Sequence, residues 1–212
     1  RVSLTTEVWE ATNSCWIETS QRLKHNIYDK DIQNILFELR EKIALIIGYL
    51  NNTMLRNEIL YFCYLGTFIE RFDNTARILD VRHFLFMPNT MVKNDVINET
   101  QWEAILRSLS AYRAYMWQNQ NELNAINISN FLILDDKMPR SLKFSLDQIL
   151  KNIKLIKNNK VKNSDSFNLG LSIQSKLLSR KRNYSYDFGL HNYLDKLISC
   201  LLYTSDAADD VI

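Results

Sequence analysis

Four glycines and two prolines in 212 residues leave this chain few places to reverse sharply. An all-β fold of this length would need many more turn residues, whereas long helices need few. The scarcity therefore predicts an all-α fold. With 46% apolar and 24% charged residues, the chain is apolar enough to build a core and too apolar for disorder.

The apolar residues recur at three- and four-residue spacing through most of the sequence, the period of an amphipathic helix. A first helix is expected over residues 3–23, with Ser3 as N-cap and Val8, Trp9, Thr12 and Trp16 on one stripe. A second, opened by Asp29 or Asp31, carries Ile32, Ile35, Leu36, Leu39, Ile43, Ile46, Ile47 and Leu50 and turns at Asn51-Asn52. The third and longest spans 55–86, stopped by Pro88, and a fourth spans 99–119, with Trp102, Ile105, Leu106, Leu109 and Tyr112 inward. A short helix at 129–134, capped by Asn127 or Ser129, precedes a long one that Pro139 opens at its first turn and that runs to 158. Helices at 169–179 and 186–199 follow polar, lysine- and arginine-containing breaks. Short connections between long helices make an antiparallel helical bundle the expected architecture.

Several function classes are disfavoured. A formal net charge of +2 gives no electrostatic case for nucleic acid or an anionic membrane. The lysines of 151–162 and the run Arg180-Lys181-Arg182 read as a solvated face. Cys15, Cys63 and Cys200 form no CxxC pair and no disulfide framework, so a cytoplasmic setting is the default. No apolar run approaches the ~18 residues of a membrane span. His25, His83 and His191 lie far apart with no metal-ligand spacing, and no GxSxG, Walker, GxGxxG, HExxH or EF-hand signature is present. The expectation is therefore no metal and no cofactor. Residues 200–210 read CLLYTSDAADD, the translation of a transposase adapter used in sequencing libraries. Residues 200–212 are accordingly expected not to be native, as in a metagenomic fragment, and residues 1–199 to be the domain.

The stretch that could carry chemistry is Leu65-Gly66-Thr67-Phe68-Ile69-Glu70-Arg71-Phe72-Asp73-Asn74-Thr75-Ala76-Arg77. At about 100° per residue, Leu65, Phe68, Ile69, Phe72, Ala76 and Leu79 form an apolar arc, and Glu70, Asp73 and Arg77 share a neighbouring strip below Gly66. Arg71 points away from Glu70, so each needs its own partner. Gly66 leaves room for a backbone or ligand. The plain alternative is a solvated i,i+4 ion-pair network. A second stretch, Phe131-Leu132-Ile133-Leu134-Asp135-Asp136-Lys137-Met138-Pro139-Arg140-Ser141, places Arg140 in the first turn of a helix, where a cation opposes the dipole. Glu70 or Asp73 is its expected carboxylate partner, and an ordinary exposed arginine is the alternative.

These stretches resemble the signature of the bacterial alpha-E family, a helical domain named for its Glu-Arg motif. The resemblance extends to Glu7-Val8-Trp9-Glu10 with Asn13, to Trp102, Leu106 and Ser110-Ala111-Tyr112, to Phe131-Leu132 with Asp135 and Pro139-Arg140-Ser141, and to Gly189-Leu190-His191-Asn192-Tyr193-Leu194. Thr67 stands where the family usually has arginine. The resemblance implies a bundle incomplete at its N-terminus, the chain corresponding to the latter part of the family's domain. It further implies genes adjacent to those of an ATP-grasp ligase and a transglutaminase-like peptidase, and hence a part in making or modifying peptide-like amide bonds.

Three readings stand. In the first, the chain is an accessory component binding the ligase, the peptidase or their product through Glu70, Arg71, Asp73, Arg77 and Arg140. In the second, it is an enzyme using Glu70 and Asp73 as acid and base. In the third, the Glu-Arg pair is a buried structural ion network.

Overall fold

The computed structural model describes residues 3–24, 29–85, 95–118, 123–156, 165–178 and 194. Among them are eight helices and no strand, as the scarcity of turn residues requires. The expected helix at 186–199 lies outside the described residues apart from Leu194, which is fully buried. Also outside are the side chains of His25, His83 and His191, the Arg180-Lys181-Arg182 run and the segment 200–212 with Cys200.

The chain divides into two compact units within a helix, one over Arg1–Tyr61 and one over Phe62–Ile212. The first unit is built on α1 (Thr6–Arg22) and α2 (Asp29–Thr53). They form an antiparallel hairpin: Thr5 and Thr53 share a hydroxyl–hydroxyl hydrogen bond of 2.7 Å, Lys42 is paired with Glu18, and Arg22 lies 2.8 Å from Glu38. The first helix begins after Thr5 rather than Ser3, and the Thr5 hydroxyl is spent across the hairpin instead of on a cap. Asn51 and Asn52 do not turn the chain. Their side-chain amides donate to the Ile47 and Gly48 carbonyls inside the helix, which runs on to Thr53.

α3 (Glu58–Leu85) crosses from the first unit into the second. There it is joined by α4 (Asp95–Ser108), α5 (Tyr112–Gln118), α6 (Ala125–Leu134), α7 (Leu142–Ile156) and α8 (Asp165–Leu178). The expected single helix over 99–119 is broken in two. Ser110 takes a left-handed φ of 54°, and two reversed bonds close the end of α4: Ala111 N–H to the Leu106 carbonyl at 2.7 Å and Ser110 N–H to the Arg107 carbonyl at 3.0 Å. This is the Schellman arrangement, usually built on glycine. Serine at that position hides the break from a sequence pattern. Leu106 and Ala111, buried together in the core cluster, supply the hydrophobic contact that accompanies the motif.

α6 also begins earlier than expected, because Asn124 is its cap: the Asn124 Oδ1 accepts from Ile126 N–H at 2.8 Å and Asn127 N–H at 3.3 Å. α7 and α8 are antiparallel. Gln174 donates to Asp147, Lys154 covers the Phe167 ring, and Gly170 packs so closely on Leu150 that an added Cβ would come within 2.7 Å of its side chain. The core gathers Phe72, Ala76 and Leu79 of α3 with Trp102, Ile105, Leu106 and Leu109 of α4, Phe131 to Ile133 of α6, and Leu142, Leu146 and Ile149 of α7.

Candidate functional site

The apolar arc of α3 faces this core as its spacing requires, with Phe72, Ala76 and Leu79 buried and Leu65, Phe68 and Ile69 packed partly against it. The neighbouring strip therefore meets solvent at its edge. Arg77 donates through Nε to Asp73 Oδ2 at 2.7 Å, and Asp73, then Glu70, hold the Arg77 guanidinium above its ordinary pKa. Glu70 and Arg77 are exposed, while the Asp73 side chain is only 17% exposed. Its Oδ1 is buried with no hydrogen-bond partner among the described residues. This strip is a surface cluster, so the reading of Glu70 as part of a buried ion network is corrected. Gly66 has open space around it, with no described atom within 4 Å of an added Cβ.

The second stretch is built differently from expectation. α7 starts at Leu142, so Pro139 and Arg140 lie in the turn before it and Ser141 is the cap. The buried Ser141 hydroxyl accepts from Phe144 N–H at 3.0 Å and donates to the Asp135 carbonyl. Asp135 Oδ1 in turn accepts the Lys137 and Met138 N–H groups, each at 2.8 Å, which fixes the turn. Pro139 is thus a turn residue and not the first residue of a helix.

The turn is strapped to α3. Thr75, wholly buried, donates its hydroxyl to the Arg140 carbonyl at 2.9 Å. Arg71 reaches the Pro139 carbonyl through Nη1 at 3.4 Å and lies over the Phe68 ring at 5.2 Å. Burial, and then the positive charge of Arg140, press the Arg71 guanidinium below its ordinary pKa. The expected pairing of Arg140 with Glu70 or Asp73 is therefore not what forms. Asp73 is taken by Arg77, and Arg140 has a like charge as its neighbour. The five residues form two groups on adjacent sides of α3: the acidic strip of Glu70, Asp73 and Arg77, and the cationic pair of Arg71 and Arg140. The angular offset between Glu70 and Arg71 is the physical reason.

Thr75 and Phe68 were not singled out by the sequence for this site. Thr75 is one helical turn after Arg71, a spacing that could have marked it. On the hairpin, a shallow groove is lined by Glu18, Arg22, Glu38 and Lys42, and the repeated Glu-x-x-x-basic spacing on both helices was its visible signal. Cys15 and Cys63 are free thiols, and burial pushes the Cys63 thiol up, which keeps it protonated. Among the described residues no group of three or more His, Cys, Asp or Glu side chains could hold a metal ion, and no helix is long and apolar enough to cross a membrane.

No curated protein and no solved structure matches the chain. A family model does match, over residues 1–210. Its description names a Glu-Arg (ER) motif, and Glu70-Arg71 is the sole Glu-Arg dipeptide in the sequence. The chain belongs to the Alpha-E family, described as a predicted alpha-helical domain with a conserved ER motif.

Proposed function

We propose that the chain is a non-catalytic, accessory helical component of a cytoplasmic system that makes or modifies peptide-like amide bonds. It works beside an ATP-grasp ligase and a transglutaminase-like peptidase, and it engages one of them, or their peptide product, through the surface of Glu70, Arg71, Asp73, Arg77 and Arg140. One observation carries the reading. A single stretch of α3, with the turn strapped to it, offers an acidic strip and a cationic pair on adjacent sides, and Glu70, Arg77 and Arg140 are exposed. Surfaces of mixed sign and fixed register favour one partner and penalise wrong ones. The test is co-purification of the tagged chain with the products of neighbouring ligase and peptidase genes. Glu70→Ala and Arg71→Ala are expected to abolish capture while leaving the helical circular dichroism unchanged. Undiminished capture by both variants would reject the surface.

A second reading draws on the buried, unpartnered Oδ1 of Asp73, since a desolvated carboxyl beside Glu70 is the raw material of acid–base chemistry. NMR titration of the two side chains separates the readings. A carboxyl titrating well above its ordinary range favours the enzyme, and ordinary titration of both removes it.

A further inference from the structure

We infer that Arg71 and Arg140, held together where the turn enters α7, form an oxyanion site that takes a carboxylate or a phosphoryl group. The inference rests on reading this surface as the contact patch and names the chemistry of what it contacts.

Arg71 is half-buried along α3, with its stem and head against Phe68. A guanidinium presents five N–H donors in a planar fork. The Pro139 carbonyl, at 3.4 Å, occupies one of them at the outer limit of hydrogen-bond distance. Neither Arg71 nor Arg140 forms an ion pair among the described residues. Glu70, adjacent in sequence, lies about 100° around α3 from Arg71, Asp73 is committed to Arg77, and Asp135 is committed to the turn and to Gln118.

The backbone that carries Arg140 is fixed in place. The Thr75 hydroxyl fixes the Arg140 backbone against α3 from a wholly buried position, one helical turn after Arg71. Ser141, also wholly buried, fixes the same turn from the other side. Two buried hydroxyls thus fix the turn that carries Arg140 against the stretch of α3 that carries Arg71, at the positive end of a 15-residue helix, and the Arg71 guanidinium reaches the carbonyl of the residue before Arg140. Without an anion, the two guanidinium charges and the helix end oppose one another. With an oxyanion between the forks, all three become favourable, and bidentate arginine geometry suits both carboxylate and phosphate.

The test is calorimetric titration of the full chain at low salt with two probes, succinate and inorganic phosphate, alongside Arg140→Ala, Arg71→Lys and, as the control, Arg113→Ala at an exposed arginine outside the surface. Arg71→Lys keeps the charge and stem but removes the planar fork, so folding is preserved. At least one probe is expected to bind, about tenfold or more weakly to Arg140→Ala and to Arg71→Lys, and unchanged to Arg113→Ala. Binding of succinate alone assigns a carboxylate ligand, and binding of phosphate alone assigns a phosphoryl one. Absence of binding by both probes overturns the site, as does an equal loss in Arg113→Ala. Oxyanion binding in a chain that captures neither ligase nor peptidase leaves the site standing and removes the accessory role. Capture that survives Arg140→Ala, with no oxyanion binding, does the reverse.

Discussion

The α1–α2 hairpin and the core of α3 to α8 both carry large apolar side chains at helical spacing and bury them very differently. In the second unit Trp102, Phe72, Leu132 and Leu146 are at most 1% exposed. In the hairpin Trp16 is 72% exposed and Leu36 58%, with Trp9, Leu23, Ile32, Ile43 and Ile47 also exposed. α2 carries two apolar stripes. Ile35 and Leu39 line the groove against α1 and, with Ile46, are half-covered, while Ile32, Leu36, Ile43 and Ile47 lie about 70° around the helix. Trp9, Trp16 and Leu23 form the matching second stripe of α1. Because the two helices run antiparallel, both stripes emerge on the same side of the hairpin. Apolar periodicity names the residues that can be buried; it takes a neighbour to bury them.

The sharpest break of this comparison is a pair of truncations read by guanidinium chloride unfolding. Phe72→Ala is expected to cost about 3–5 kcal/mol, and Trp16→Ala to stay within about 0.5 kcal/mol. A large loss at Trp16 would mean that the hairpin face is covered after all. Next is Ser141→Ala, which removes the α7 cap and strands buried partners, at about 1–3 kcal/mol in the second unit. Ser110→Gly should act in the opposite direction, raising stability by about 0.5–1 kcal/mol by relieving the left-handed serine. An unchanged midpoint would show that the α4–α5 break is held by packing alone. The smallest effect belongs to the hairpin. The Lys42 ammonium, with Ser14 second, holds Glu18 below its ordinary 4.5. That pairing contributes above 4.5 and is lost as pH falls through the lower folded value. Glu18→Gln should flatten the acid limb of the unfolding curve without moving its neutral-pH midpoint appreciably.

Much of the site was legible because it depends on one helix. The angular arithmetic of α3 put Phe72, Ala76 and Leu79 inward and kept Glu70, Asp73 and Arg77 together, and both hold. The partner of Arg140 was not legible. Pro139 fits a first-turn position as well as it fits a turn, and only the Thr75 and Ser141 hydroxyls decide between them. The α4–α5 break was equally hidden, since serine carries no glycine's signal for a left-handed residue.

What the sequence determined by itself is the all-helical class, the inward arc of α3 and the family to which the Glu-Arg motif belongs. These follow from local rules: few turn residues, a 3.6-residue period, and order along one chain. The tertiary structure alone decided which apolar stripe is covered, that the turn of Pro139 and Arg140 is strapped to α3 through Thr75, and that the Arg71 guanidinium reaches that turn instead of an acid. Each of those depends on contacts between residues far apart in sequence, where a buried hydroxyl or a neighbouring helix selects among arrangements that local pattern leaves equal.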